Sequence, residues 1–488
     1  MLKNFFRQRA RSLSENIFWG IYGEVFSRVV KFFQLILIAQ FLGAEGMGLF
    51  NYSLAAAGIM AVFYDFGLLV VATKNNTKAR TPENLVPYFL VKLVNVLFAF
   101  AIFLFLLWGD VLNTSDVYAL ALLVASILIS DLGNLVLASY RAHQDFLQEA
   151  RFRSLFILSQ CLATILVFAV GGTLFDLSLI LLLCSLSFMI PVLNRVFAQF
   201  RDGVSELALS IRRIVIECLP YAGIVMVGSI YTNADVLVLG AYLSLADVGV
   251  YVTAVKFILG LVIVPITFIQ NAQIPQMMSQ SESEVAPFRE NSNAWRDGYG
   301  KTILCGYTIC LFFAFFSDTI VALTFGSEFS RSAYILPALT LVGASYYLYT
   351  PIMTLFIVNG TPKITFYVQL VCCILNISLL FVLVPSIGVN GAVAASITSH
   401  ILIFFFLLVV GIKYFRELFP GFFIIRLLAA FACFVVTVFL IEYIEFESIS
   451  THLFLQTISL VGLSYILRRE FISFIQDLTR LVKRYRSA

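Results

Sequence analysis

Fourteen apolar stretches, separated by short polar connections, leave this chain few ways to fold. They fall at about residues 17–41, 48–72, 85–108, 117–139, 154–173, 177–198, 214–241, 248–271, 301–325, 333–358, 362–384, 388–412, 421–441 and 452–467. About 20 apolar residues cross a bilayer as a helix, and in hydrocarbon only helices and closed barrels satisfy their own backbone. Stretches this long exclude barrel strands and predict an all-α polytopic membrane protein with about 14 transmembrane helices. Composition agrees, with 60% hydrophobic and 12% charged residues, about half the charge of a soluble chain.

The connections are too short for a soluble domain, and nothing in them suggests a nucleic-acid partner. GAEGMG at 43–48 joins two spans and fits no phosphate-loop pattern. The eight cysteines all lie in apolar stretches without zinc spacing, so buried free thiols are expected, with no metal and no cofactor. The first stretch is too long and too charged to read as a cleavable signal.

Charge in the connections sets an orientation. Alternate connections carry Lys3, Arg7, Arg9 and Arg11, then Lys74, Lys78 and Arg80, then Arg141, Arg151 and Arg153, and the series runs on to a basic tail from Arg468 to Arg486. The intervening connections hold a single basic residue, Arg331, among acids such as Glu45, Asp110, Asp176 and Glu328. The positive-inside rule then places both termini on the cytoplasmic side of the membrane.

A polar stretch at 198–213 divides the chain after six spans. Each half opens alike: Leu42-Gly43 precedes Gly48-Leu49-Phe50-Asn51-Tyr52, and Leu239-Gly240 precedes Gly249-Val250-Tyr251. Spans 1 and 7 run the same way, which predicts two six-helix lobes in parallel repeat. The expected organisation is an N-terminal lobe at 1–198, a cytoplasmic linker at 199–213, a C-terminal lobe at 214–415, and two further helices with a basic tail at 416–488.

Ionisable residues inside spans are the candidate site, because each costs at least ~2.5 kcal/mol in hydrocarbon unless it faces a bundle interior or water. Glu24, Arg28 and Lys31 share one face of the first span, within an arc of about 60°. Glu24, Asp65, Lys92 and Asp131 fall about 10–12 Å from the cytoplasmic face, with Arg28 and Lys31 nearer the midplane. One reading gives Arg28, Lys31 and Lys92 to an anionic, phosphate-like ligand, which suits Arg and Lys donors. The other pairs these charges within the lobe, Glu24 with Arg28 and Asp65 with Lys92, to fix helix packing. Glu24, Asp65 and Asp131 would on the first reading serve ion coupling or gating.

In the second half, Asp235 and Lys256 lie at similar depth on adjacent spans and are expected to pair, as packing or as an ion gate. His400 is either a proton relay or a hydrogen-bonded packing residue. Asn233, Gln369 and Asn376 fit sugar hydroxyls or interhelical hydrogen bonds, and Tyr346, Tyr347 and Tyr349 fit sugar stacking or ordinary aromatic packing. Trp19 and Trp108 suit the interfacial belt. Residues 276–299 are expected to lie along the membrane surface with Trp295 in the interface, and the tail after Arg468 is expected to form an amphipathic helix on anionic lipid.

Three segments carry a family resemblance. FLGAEGMGLFNYSLAAAGIMAVFYDFGL at 41–68, NADVLVLGAYLSLADVGVYVTAVKF at 233–257 and ILNISLLFVLVPSIGVNGAVAASI at 374–397 resemble signatures of the polysaccharide-transport (Wzx-type) flippases, and NGTPK at 359–363 fits the turn before the last. The resemblance implies the multidrug/oligosaccharidyl-lipid/polysaccharide superfamily, two six-helix lobes around a central cavity, and a polyprenyl-pyrophosphate-linked oligosaccharide moved from the cytoplasmic to the outer leaflet by alternating access. Membrane lipids, and polymerase and chain-length proteins of a surface-polysaccharide or O-antigen pathway, are the implied partners. A cation-coupled multidrug exporter of the same superfamily is the alternative, and a membrane sugar ligase or polymerase a more distant one.

Overall fold

The computed structural model describes residues 13–78, 85–107, 114–142, 145–201, 207–268, 292–359, 361–443, 449–468, 470–473, 475–476 and 479. Among these residues fifteen α-helices run in chain order: α1 (Leu13–Tyr64), α2 (Leu68–Lys78), α3 (Val86–Leu107), α4 (Thr114–Ala142), α5 (Phe146–Ala169), α6 (Leu174–Arg201), α7 (Leu207–Tyr242), α8 (Leu245–Phe268), α9 (Ser292–Phe315), α10 (Ser317–Thr324), α11 (Ser330–Val358), α12 (Pro362–Ile387), α13 (Val389–Tyr414), α14 (Gly421–Tyr443) and α15 (Ile449–Ile466). Among the described residues there is no strand. Eleven of the described helices are long and apolar enough to cross a membrane, so the protein is an all-α, multi-pass membrane protein. The first of the eleven, Phe18–Tyr64, has 47 residues, about 70 Å of helix, more than two hydrocarbon thicknesses. Gly43 (φ 68°, ψ −169°) breaks it between the first two predicted spans.

The chain divides into two compact units, Met1–Val252 and Thr253–Ala488. In the first, the two arms of α1 pack on different partners. Gly20 faces Phe146, Gly23 faces Ala150, Gln34 bonds Thr164 and Phe41 stacks on Phe168, so the first arm runs parallel to α5. Gly67 faces Tyr221, Gly58 faces Asn233 and Gly240 faces Tyr52, so the second arm and the turn after it run antiparallel to α7. Both senses follow from an up-and-down path. The core between α1, α3, α4 and α6 is built from Ala57, Ala99, Leu120, Val124 and Val192, small or branched side chains that let these helices approach closely. Since α7 packs on α1, α2 and α3, compactness divides the chain one helix later than the sequence repeat does.

A second break separates α1 from α2. Phe66 (φ 46°) and Gly67 (φ 78°) adopt left-handed conformations there, and Phe66 is the one non-glycine residue to do so among those described. A side chain in this region costs about 1–2 kcal/mol. The break puts Asp65 in a turn at the end of the helix, inside the predicted span 48–72.

The second unit is centred on α11, the most buried of the apolar helices, which packs against α9, α13, α14 and α12. Trp295 corrects the sequence reading. It is buried in the first turn of α9, against Phe419 and Phe423, rather than anchored in an interface. Phe423 on α14 and Phe419 in the connection before it hide the indole, and residues 276–291 and Trp108 lie outside the described set.

Candidate functional site

Two charged constellations form within the first unit. The inner one joins three helices. Lys92 on α3 has no exposed side-chain surface, and its Nζ lies 2.6 Å from Asp131 Oδ2 on α4 and 3.5 Å from Asp65 Oδ1 in the break after α1. Asn134, one turn beyond Asp131, donates to Asp131 Oδ1 at 2.7 Å. A lysine can be buried this far only against opposite charge. Of the two readings open for Lys92, the geometry matches pairing within the lobe. Lys92 is thus enclosed between two carboxylates, the expected partner Asp65 and the additional one Asp131.

The outer constellation joins α1 and α5. Glu24 Oε1 accepts from Arg28 Nε at 2.9 Å and Nη2 at 2.6 Å, and Glu24 Oε2 accepts from Arg153 Nη1. Arg153 Nη2 also reaches Glu149 at 2.6 Å. Glu24 and Arg28 are partly exposed, at 32% and 42%, and Arg153 is 19% exposed. Lys31, three residues beyond Arg28, is exposed, and among the described residues it forms no ion pair. Three cations thus stand against two carboxylates.

The face matters as much as the charge. Five of the six large exposed apolar side chains described on this arm, Phe18, Tyr22, Val25, Val29 and Phe33, all but Phe41, form a stripe whose centre is about 130° from the stripe of Glu24, Arg28 and Lys31 at 100° per residue. The face that suits lipid and the face that carries charge are therefore distinct.

Arg153 and Glu149 were missed as site residues. Hydropathy begins the fifth span at residue 154, so both fell into a basic loop. The helix begins eight residues earlier, at Phe146, where the Asp145 side chain accepts from Gln148 N. That helix-capping aspartate was the available signal.

The remaining candidates have mostly local partners. Tyr251 donates to Asp235 Oδ2 at 2.7 Å, while Lys256 lies half-buried on α8, in the second unit. Glu217 is tied to Asn75 on α2 at 2.8 Å and to Arg213 on its own helix at 2.8 Å. His400 is buried on α13, with Nδ1 2.8 Å from Ser396 O and the Tyr346 ring at 4.9 Å. Asn376 bonds Ser399 across α12 and α13 at 3.0 Å, and Gln369 reaches the Met353 sulfur at 3.4 Å. All eight cysteines are free thiols, five buried and three half-buried. Among the described residues no cluster of His, Cys, Asp and Glu could hold a metal ion.

Residues 13–281, more than half of the chain, match the profile of the polysaccharide biosynthesis protein family. The chain belongs to that family. Its fold is similar to that of the lipid II flippase MurJ in an inward-closed conformation (TM-score 0.71, 16% identity, 93% of this chain and 100% of that one). It is also similar to an inward-facing multidrug resistance MATE transporter of the MOP superfamily (TM-score 0.60, 14% identity, 80% and 96% covered) and to the eukaryotic MATE transporter AtDTX14 (TM-score 0.57, 12% identity, 83% and 97% covered). No curated protein sequence matches the chain. This member of the polysaccharide biosynthesis protein family is thus a multi-pass membrane protein with a fold similar to those of MurJ and the MATE transporters.

Proposed function

We propose that the protein is a flippase for a polyprenyl-pyrophosphate-linked oligosaccharide, such as the repeat unit of a surface polysaccharide or O-antigen, carried from the cytoplasmic to the outer leaflet of a bacterial inner membrane. The observation that carries this reading is the cationic cluster on α1 and α5. Arg28 and Lys31 lie on a span, on a face separate from its apolar stripe, and Lys31 forms no direct ion pair among the described residues. Such a site suits a pyrophosphate, while the polyprenyl chain stays in lipid. In this scheme the chain crosses fourteen times, both termini are cytoplasmic, two lobes alternate in access, and ion exchange supplies the energy. Asp65 and Asp131 around Lys92, and Asp235 on α7, are the groups we assign to coupling or gating. Polymerase and chain-length proteins of the same pathway would receive the product.

The second reading is a cation-coupled exporter of organic cations, favoured by the excess of carboxylate at Asp65 and Asp131. Reconstituted vesicles separate the two. The flippase reading expects a pyrophosphate-linked oligosaccharide to become accessible in the opposite leaflet, with no uptake of a lipophilic cation such as a rhodamine. Cation uptake without lipid translocation would sink it.

A further inference from the structure

We propose that Glu24 is a built-in counter-anion occupying the place of the substrate's phosphate, and that Arg153 on α5 is a third phosphate-contacting residue beside Arg28 and Lys31. The proposal rests on the flippase reading and extends it. Both oxygens of the Glu24 carboxylate are engaged, one by the Arg28 fork and one by Arg153. Two guanidinium groups from two helices converging on a pair of oxygens is the arrangement that also receives a phosphoryl group. With Glu24 in place the cluster of Arg28, Arg153, Lys31, Glu24 and Glu149 holds one positive charge in excess. With Glu24 swung aside, two positive charges face the site, matching a dianion.

The Glu24 bonds are not needed to hold α1 on α5. A Cβ at Gly23 would lie 2.8 Å from that of Ala150, so the two backbones are already in close contact there. Further along, Gln34 bonds Thr164 at 2.9 Å and Phe41 stacks on Phe168 at 4.7 Å. Glu24 itself is one third exposed and can leave by rotating its own side chain. A carboxylate in this place does two things for a transporter. It keeps the arginines paired while the site is empty, since an unpaired charge in a span is costly. It also competes with the bound anion, so that the ligand can leave on the far side, a balance that conduction through any membrane path requires.

The test uses the full-length protein in detergent and two probes, inorganic pyrophosphate and farnesyl pyrophosphate, titrated by calorimetry. Glu24→Gln is expected to bind both about tenfold more tightly than the wild type, and to translocate lipid-linked oligosaccharide more slowly in vesicles. Arg153→Gln is expected to weaken binding as much as Arg28→Gln does, with Arg153→Lys between, and to cancel the gain in the double variant Glu24→Gln/Arg153→Gln. Should Arg153→Gln unfold, the Arg153→Lys measurement stands in its place. Unchanged or weaker binding by Glu24→Gln with a wild-type melting temperature makes Glu24 a tether and overturns the proposal alone. Failure of the wild type to bind either probe overturns the pyrophosphate site of the flippase reading as well.

Discussion

Lys92 Nζ on α3 sits 2.6 Å from Asp131 Oδ2 on α4, with the lysine side chain wholly enclosed. Asp65, 3.5 Å away on the other side, gives this ammonium two carboxylates to one positive charge. Removing the cation strands two carboxylates, whereas removing all three charges leaves polar groups of similar shape. Lys92→Met is therefore expected to destabilise the protein by about 3–5 kcal/mol, seen as a large fall in melting temperature in detergent. Adding Asp65→Asn and Asp131→Asn should restore most of it. A triple variant no more stable than Lys92→Met would show that the lysine acts through packing alone.

Gly48 and Gly249, the two glycines that marked the internal repeat, meet in the fold. A Cβ at Gly48 would run into the Leu245 carbonyl, and one at Gly249 into the Ala44 carbonyl. The repeated motif thus marks a mutual backbone contact, where a methyl has no flexible neighbour to displace. Gly48→Ala and Gly249→Ala should each lower stability by about 1–3 kcal/mol or more. Gly228→Ala, at a helical glycine with nothing within 4 Å, should be neutral or slightly stabilising. Melting curves of the three variants in one detergent check the contrast.

Residue type and period carried much of this architecture, for physical reasons. Hydrocarbon demands about 20 apolar residues per helix, so the described helices overlap the predicted spans, with α1 running through the first and into the second and the span at 301–325 divided between α9 and α10, and Asp131 and Lys92 could be placed at a common depth. What hydropathy cannot see is a polar first turn. Arg153 and Glu149 were lost to a loop because α5 begins eight residues before its apolar stretch. Depth alone also cannot choose partners: Glu24 could be matched with Arg28 by their spacing of four, but not with Arg153, which is 129 residues away. Nor does any periodicity announce the break at Phe66, since a left-handed phenylalanine is a cost borne by the surrounding packing.

Asn376 and Ser399 form a buried hydrogen bond between α12 and α13. Within a membrane such bonds contribute less than their isolation suggests, about 0.6 kcal/mol on average and up to about 1.7. A double-mutant cycle of Asn376→Ala and Ser399→Ala should return a coupling in that range, with transport unaffected at equal expression. Loss of translocation at wild-type stability would instead give Asn376 to the sugar.

The two charged constellations should separate by phenotype. Arg28 and Lys31 are exposed on a face away from the apolar stripe, so neutralising them removes little that holds the fold together; exposed pairs contribute about 0–1 kcal/mol. Arg28→Gln and Lys31→Gln are expected to melt near the wild type and to lower translocation about tenfold or more, since each removes a charge-assisted contact worth about 1.5–3 kcal/mol. Lys31→Arg should retain most activity. Lys92→Met should behave the other way round: low stability and low yield, with the fold but not gradient-driven translocation recovering when Asp65→Asn and Asp131→Asn are added. If that triple variant is as stable as the wild type and still inactive, Asp65 and Asp131 do more than balance a lysine. Assays of its transport against an imposed proton or sodium gradient would then identify the coupling ion.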